Sequence, residues 1–583
     1  MSEHSPGDEA RTRIVRHLTA LYPDADVEPI ADRLIDAFTA LPRPASADGS
    51  RRWDQRDAML ITYADSIVGG ETPLRTLDQF LNRHVGDAVS MVHLLPFFPF
   101  TSDDGFAVSS YGSVRDDLGD WDDVAKLAQR YRLMFDLVIN HASASHRWFG
   151  EFERGETPGK DYFITADPGA DLSAVTRPRA TALLRPTETP DGVRHVWCTF
   201  GHDQVDWDFA NPDVLVEMMS IAANYIRRGA SVIRLDAIGY LWKQIGTSCI
   251  HLPQTHEVVR LLRTLVDSFA PGVLLITETN VPNNENLSYF GNRNEAHVIY
   301  NFSLAPLVLH ALLSGRATYL QRWMRSMPPG PVGCTYLNFT ASHDGIGMRP
   351  AEGLLSEDEQ RQLVDTVVRH GGRVSTRRMS DGTEKPYELN ISLFDAYRGT
   401  FAGEDEHQVE RFLTSQTIAL GIEGIPAIYI HSLTATPNDA DGVERTGRAR
   451  SINRHQWDAD ELERRFTDAD SPTARVSSEL IRRLRIRARQ PAFSPDATQF
   501  TLILPPELFG FWRQSNDRSQ SIFAVHNLTA EEQTVAMEDL NLVSTDDWFD
   551  LIDGDPMPGL TGEVRLRPYQ CLWITNRDGA AGE

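Results

Sequence analysis

The feature that most restricts the fold is a rhythm. Eight short apolar runs, "AMLITYAD", "AVSMVHLLPFFPF", "LMFDLVINH", "ASVIRLDAIGY", "GVLLITETN", "AHVIYNF", "TYLNFTASHD" and "IPAIYIHSL", recur from residue 58 to residue 433, with helix-like stretches between most of them. A strand with one wet face alternates apolar and polar residues, whereas a strand apolar at almost every position is covered on both faces. Such strands, separated by helices, make a parallel sheet wrapped by helices. Eight units in roughly 370 residues predict an α/β chain built on a (β/α)8 TIM barrel. Residues 57–141, 207–344 and 404–490 are expected to supply it.

Two connections exceed the usual length of a βα loop. Residues 142–206 follow the third run and residues 345–403 the seventh. Both leave the C-terminal end of a strand, the face on which such barrels carry their sites, so both are expected as inserted subdomains over the mouth. Residues 1–56 read as a helical N-terminal extension, because "ARTRIVRHLTALY" and "VEPIADRLIDAFTAL" repeat near 3.6 before a linker-like "PRPASADGSRRWDQRD". Residues 491–583 alternate with period two, in "LFGFWRQS" and "SIFAVHNL" among others, and read as an antiparallel β domain.

Charges stand where this pattern demands core. In "IRLDAIGY", Arg234 and Asp236 fall on one face of the fourth run. A buried ion pair would explain them, although desolvation offsets most of its attraction. Glu278 closes the fifth run and Asp344 the seventh, while His141 and His343 close the third and seventh. A single carboxylate after a strand commonly caps a helix. Three carboxylates, two histidines and an arginine at the ends of different barrel strands instead converge on one pocket.

That set suits chemistry at an anomeric carbon. One carboxylate attacks, and a second protonates the leaving oxygen and then deprotonates the acceptor. Arg234 beside Asp236 favours the ionised form a nucleophile needs, and the apolar setting of Glu278 raises its pKa toward that of a useful acid. The third carboxylate and the histidines can hold hydroxyls and stabilise positive charge.

Composition narrows the partners. With 82 acidic against 57 basic residues and a net charge of -25, nucleic acid and anionic membranes are disfavoured. No run reaches the ~18 apolar residues of a membrane span. The start shows no basic and apolar leader, and the four cysteines are scattered without metal or disulfide spacing. A cytoplasmic protein with no metal is the expectation.

"VINH", "IRLDAIGY", "LLITETN" and "TASHD" resemble the four signature regions of the α-amylase family, glycoside hydrolase family 13. The resemblance implies Asp236 as nucleophile, Glu278 as acid/base and Asp344 as transition-state stabiliser, with His141, Arg234 and His343 around the glucose. "LLPFFPFTSDDGF", "LDAIGYLWKQIGTSC", "SHDGIGM" and "RSINRH" are similar to the sucrose phosphorylase subgroup. By that resemblance Asp103 and Arg450 grip the glucose 4-hydroxyl and close the donor pocket to longer chains. Phe106, Gln204 and Tyr240 are implied beside them. A retaining phosphorylase is implied, with inorganic phosphate as co-substrate and no cofactor; the oligomeric state stays open between monomer and dimer.

The acceptor side departs from the subgroup. Where it shows Y-R-P-R, E-V-H and Y-Q-x-N, this chain has Thr176, Asn280 and Glu388, the last preceded by Tyr387. Arg179 matches an arginine the subgroup uses toward its acceptor; Arg177, Arg377 and Arg378 are further basic residues in the two insertions. Glu388 is expected to repel anionic acceptors and to accept hydrogen bonds from a polyol. Glucosylglycerol, with glycerol as acceptor, is therefore the expected substrate, followed by glucosylglycerate and then by sucrose 6'-phosphate or sucrose. A hydrolase or transglucosidase is the rival reading.

Overall fold

The computed structural model describes residues 6–41, 52–179, 181–378, 383–540, 547–559 and 561–576. The side chain of Arg378 lies outside the described part. Each of the eight runs contributes one strand to a closed parallel barrel. These are β1 (Met59–Thr62), β2 (Met91–Leu94), β3 (Arg132–Leu137) and β4 (Ala230–Leu235). They continue with β5 (Leu274–Thr277), β6 (Val298–Tyr300), β7 (Thr335–Asn338) and β8 (Ile425–Tyr429). Each strand pairs with its sequence neighbours and β8 closes on β1, through Met59 opposite Ala427 and Leu60 opposite Ile428. Nearly every strand residue is buried, as helices covering the outer face require.

The long connections emerge where expected. Between β3 and β4 the chain forms a hairpin, Leu184–Thr189 with Gly192–Trp197, and the pair His141–Ser143 with Gln204–Asp206. Between β7 and β8, Ile346–Gly347, Arg373–Arg378 and Glu384–Asn390 make a three-stranded antiparallel sheet. At the N-terminus α1 (Pro6–Leu21) and α2 (Glu28–Thr39) bury Ile14, Leu18, Leu34 and Phe38 in the same core as the barrel. The C-terminal segment is a five-stranded antiparallel sheet, with Phe509, Phe511 and Trp573 entering the barrel core.

Two buried arginines fasten this junction through backbone carbonyls. Arg513 donates to the carbonyls of Gly421 at 2.7 Å and Ser494 at 2.6 Å. Arg487 reaches those of Leu420, Gln55 and Phe493 at 2.8, 2.6 and 3.0 Å. Burial pulls their pKa values down to about 10 and about 9, and both remain cations at neutral pH.

Candidate active site

Barrel register places the first charges. Arg234 of β4 lies opposite Asp136 of β3 and opposite Ile276 of β5, so Asp136 and Arg234 point the same way into the barrel. The Arg234 guanidinium bonds Asp136, donates to Asp236 at 2.8 Å and to the Tyr300 hydroxyl at 3.1 Å, and lies 3.9 Å from Glu278. Asp136 is held from behind by His93, 2.6 Å away. A buried ion pair therefore anchors the arginine of "IRLDAIGY", and the same guanidinium reaches Asp236. Burial opposes charge on Asp136, but His93 and Arg234 prevail and bring its carboxyl down to about 2.

Asp236 follows β4 directly and Glu278 follows β5 directly. Between them Ala237 adopts a left-handed φ of 49°, sparsely populated by residues with a Cβ, and this turn aims its N–H at Glu278 Oε2, 3.0 Å away. Burial pushes both carboxyls up, Asp236 well above its ordinary range, and the charge of Glu278 adds to the rise at Asp236. Arg234 opposes the rise at both. The guanidinium at 2.8 Å is the stronger donor to Asp236, and the backbone N–H at 3.0 Å the weaker one to Glu278, so Arg234 favours charge on Asp236 against the effect of burial.

Two expectations about strand ends need correction. β7 stops at Asn338, six residues before Asp344, and β3 stops at Leu137, four before His141. A loop delivers Asp344, and a short strand outside the barrel delivers His141. The "RSINRH" segment holds that loop: Asn453 donates to the carbonyls of Ser342 and Asp344, and Arg454 to that of His343 at 2.8 Å. His141 starts the short strand that pairs with Gln204–Asp206. Burial would raise the Asp344 carboxyl, but Arg450 at 2.6 Å and Arg454 hold it well below the usual range. His343 stacks on Phe106, with centroids 5.1 Å apart and planes 7° apart, and burial lowers it to about 3, leaving it neutral.

Asp103 and Asp104 both take left-handed φ values, 54° and 49°, which turn their side chains apart. Asp103 faces the cleft and accepts from Gln204 at 3.1 Å, with Gln204 also 3.1 Å from His141. Asp104 turns away to Arg454 and Arg448. Burial would raise Asp103; Arg450 and Arg179 hold it below the carboxylate range. Tyr240 lines the same cleft, its hydroxyl pushed up to about 12 by burial.

On the acceptor side Arg179, Asn280, Tyr387 and Glu388 line the cleft. Thr176 does not; its N–H bonds the Ser248 carbonyl at 2.9 Å. The expectation that Glu388 repels anions is overturned. Glu388 is buried, and both oxygens are taken by Arg450, Oε1 at 2.5 Å and Oε2 at 3.0 Å. Its charge is tied to Arg450, a guanidinium it shares with Asp344. Arg179 has no ion-pair or hydrogen-bond partner among the described residues. Arg377 is paired with Glu352 at 2.5 Å, and Arg177 bonds the Thr181 carbonyl.

Sequence reasoning passed over several participants. Asp136 carries the same signal as Arg234, a lone charge in an apolar run. Lys243, 2.6 Å from Asp206 and 2.7 Å from Asn140, supports the His141 strand from below. His251 lines the cleft in a left-handed conformation, φ 56°, with Nδ1 2.7 Å from the Tyr289 hydroxyl. No spacing announced either of the last two.

Residues 86–331 match the family described as alpha amylase, catalytic domain. The chain is 43% identical over 578 residues to a glucosylglycerate phosphorylase of Allomeiothermus silvanus, covering 98% of this chain and 100% of that one. It is 28% identical over 447 residues to a glucosylglycerol phosphorylase of Marinobacter adhaerens, covering 74% and 87%. Among solved structures, sucrose 6F-phosphate phosphorylase from Thermoanaerobacter thermosaccharolyticum superposes with a TM-score of 0.70 at 25% identity, covering 83% and 96%.

Proposed function

The chain belongs to the α-amylase family, among its glucoside phosphorylases, and from that footing we propose that it catalyses the reversible phosphorolysis of glucosylglycerate to α-glucose 1-phosphate and glycerate. The observation that carries the choice of acceptor is the pairing of Glu388 with Arg450. It ties the negative charge that would have favoured glycerol to a guanidinium, while Arg179 and Arg349 have no ion-pair partner among the described residues. An anionic acceptor fits those cations; a neutral polyol gains nothing from them. The higher identity to a glucosylglycerate phosphorylase along the whole chain supports the same choice.

In the proposed cycle the glucosyl unit occupies the closed end, gripped by Asp103 and Arg450 and packed on Phe106, with His141, Gln204 and His343 at its hydroxyls and Tyr240 on its wall. Asp236 attacks the anomeric carbon as Glu278 gives its proton to the glycerate oxygen, so the C–O bond breaks and a glucosyl ester forms. Glycerate leaves. A phosphate oxygen then attacks the same carbon from the vacated side, the ester breaks, and Glu278 recovers a proton from phosphate. Asp344, ionised against Arg450, faces the positive charge that develops in both steps. Inorganic phosphate is the only co-substrate this cycle requires.

Supplying α-glucose 1-phosphate with glycerate, glycerol, fructose or fructose 6-phosphate in turn, and following phosphate release, tests the proposal. Glycerate should exceed glycerol in kcat/KM by about tenfold or more, the worth of one charge-assisted contact. Equal or better use of glycerol would reject it, as would glucose release from glucosylglycerate without phosphate at a comparable rate.

A further inference from the structure

Arg349 is the outstanding unused charge beside the cleft. It follows Ile346–Gly347, the short strand paired with Leu389 and Glu388. Its neighbours in sequence are fixed to the acceptor wall: a Cβ on Gly347 would sit 2.8 Å from Asn280 Oδ1, and the Met348 N–H donates to the Tyr387 carbonyl at 2.9 Å. The guanidinium is half-buried, its Nε is fully enclosed without a hydrogen bond, and it has no ion-pair partner among the described residues. Glu352, three residues further on, is engaged by Arg377 at 2.5 Å. Asn280 Oδ1 is likewise buried without a partner. An enclosed Nε left without a partner is costly, and a half-buried guanidinium with no ion pair is placed to receive an anion that arrives with the ligand. The charge is felt at the cleft: it lowers His251, after burial and His256, and it opposes the burial-driven rise of Tyr240.

We propose that Arg349 binds the carboxylate of the glycerate acceptor, with Asn280 Oδ1 accepting from a glycerate hydroxyl, while Arg179 serves phosphate. This rests on the glucosylglycerate reading above. The division follows from reach. Arg179 lies near enough to the glucose end to stabilise Asp103. The backbone that carries Arg349 is instead fixed beside Asn280 and Tyr387 on the acceptor wall. Whichever glycerate hydroxyl carries the glucose, the carboxylate oxygens stand at least one bond further from the glycosidic oxygen than the phosphate oxygens of glucose 1-phosphate do. The more distant cation therefore meets the carboxylate and the nearer one the phosphate.

The test compares wild type with Arg349→Gln and Arg349→Lys, using glycerate and glycerol as acceptors and phosphate in the reverse direction. Arg349→Gln should raise KM for glycerate by about tenfold or more, chiefly in KM rather than kcat, and should erode the glycerate-over-glycerol ratio by a similar factor. KM for phosphate should rise much less. Arg349→Lys should recover part of the loss, because it keeps the charge without the fork. A larger loss for phosphate than for glycerate, or an unchanged glycerate-to-glycerol ratio in both variants, would overturn the assignment. Were Arg349→Gln not to fold, the ratio measured for Arg349→Lys would decide. A wild type that fails to prefer glycerate would instead overturn the reading of the substrate, a result visible before any variant is made.

Discussion

Glu388→Gln separates the sequence-based account of the acceptor from the structural one. Arg450 lies between two carboxylates, with Asp344 at 2.6 Å and Glu388 at 2.5 and 3.0 Å. Removing one partner of a buried pair costs about 3–5 kcal/mol when it strands the other charge. Here Asp344 still balances Arg450 and a glutamine retains one acceptor oxygen, which places the loss near the lower end, about 2–3 kcal/mol. Freed on one side, the guanidinium swings toward Asp344 and abandons the position proposed to hold the glucose 4-hydroxyl. Since that glucose is common to every reaction, kcat/KM should fall for glycerate, glycerol and phosphate alike, by about tenfold or more, the worth of the displaced charge-assisted contact to the 4-hydroxyl. The ratio of glycerate to glycerol should stay within about threefold of wild type, the spread expected for a residue not touching the acceptor. Parallel initial rates with α-glucose 1-phosphate and each acceptor give that ratio directly. A variant that keeps its rate on glycerol while gaining tenfold on glycerate would show that Glu388 faces the acceptor after all, and the argument from its pairing would fall.

Two further outcomes follow from the proposed roles. Asp236→Asn should retain the wild-type circular dichroism spectrum, because Asp136 and Tyr300 still hold Arg234, while phosphorolysis falls by at least about 10⁴-fold; near-normal turnover would remove Asp236 from the chemistry. Glu278→Gln should cripple phosphorolysis of glucosylglycerate but spare α-glucosyl fluoride, whose leaving group needs little protonation. Burial raises the Glu278 pKa, and the acid form is the one that releases glycerate, so kcat/KM of the wild type should decline as pH rises through that raised value, and the Gln variant should lack this basic limb. A basic limb that persists in the variant would assign it to another group.

The legible part of the molecule was the part written locally. Eight apolar runs gave eight barrel strands because strands covered on both faces leave no polar positions to hide the signal. Asp236 and Glu278 were readable for the same reason: each is a carboxylate immediately after such a run, and a strand end fixes direction. Asp344 and His141 were placed correctly in the cleft but for an inexact reason, since a loop held by Asn453 and Arg454 delivers the first and a short strand paired with Gln204–Asp206 the second. What stayed hidden depends on contacts distant in sequence. Glu388 and Arg450 are 62 residues apart, and their union is decided by how a three-stranded insertion folds against the segment after β8. A charge taken singly from the sequence has a sign; only its partner tells whether that sign reaches a ligand.

The same accounting divides the cleft into two electrostatic halves. At the closed end, Arg234 is paired with Asp136 and Asp236, and Arg450 with Asp344 and Glu388, so each cation there is engaged by two carboxylates and held in place before glucose arrives. At the open end Arg179 and Arg349 have no such partners among the described residues. The chain as a whole carries a net charge of -25, a field that repels phosphate and glycerate. Salt confines that field to about 8 Å at physiological ionic strength, so an anion deep in the cleft responds to the two arginines rather than to the distant surface. Under the proposed cycle this favours anions over water at the moment the glucosyl ester is exposed, and it ties the phosphorylase outcome to unpaired cations whose removal should both weaken anion use and raise the share of hydrolysis.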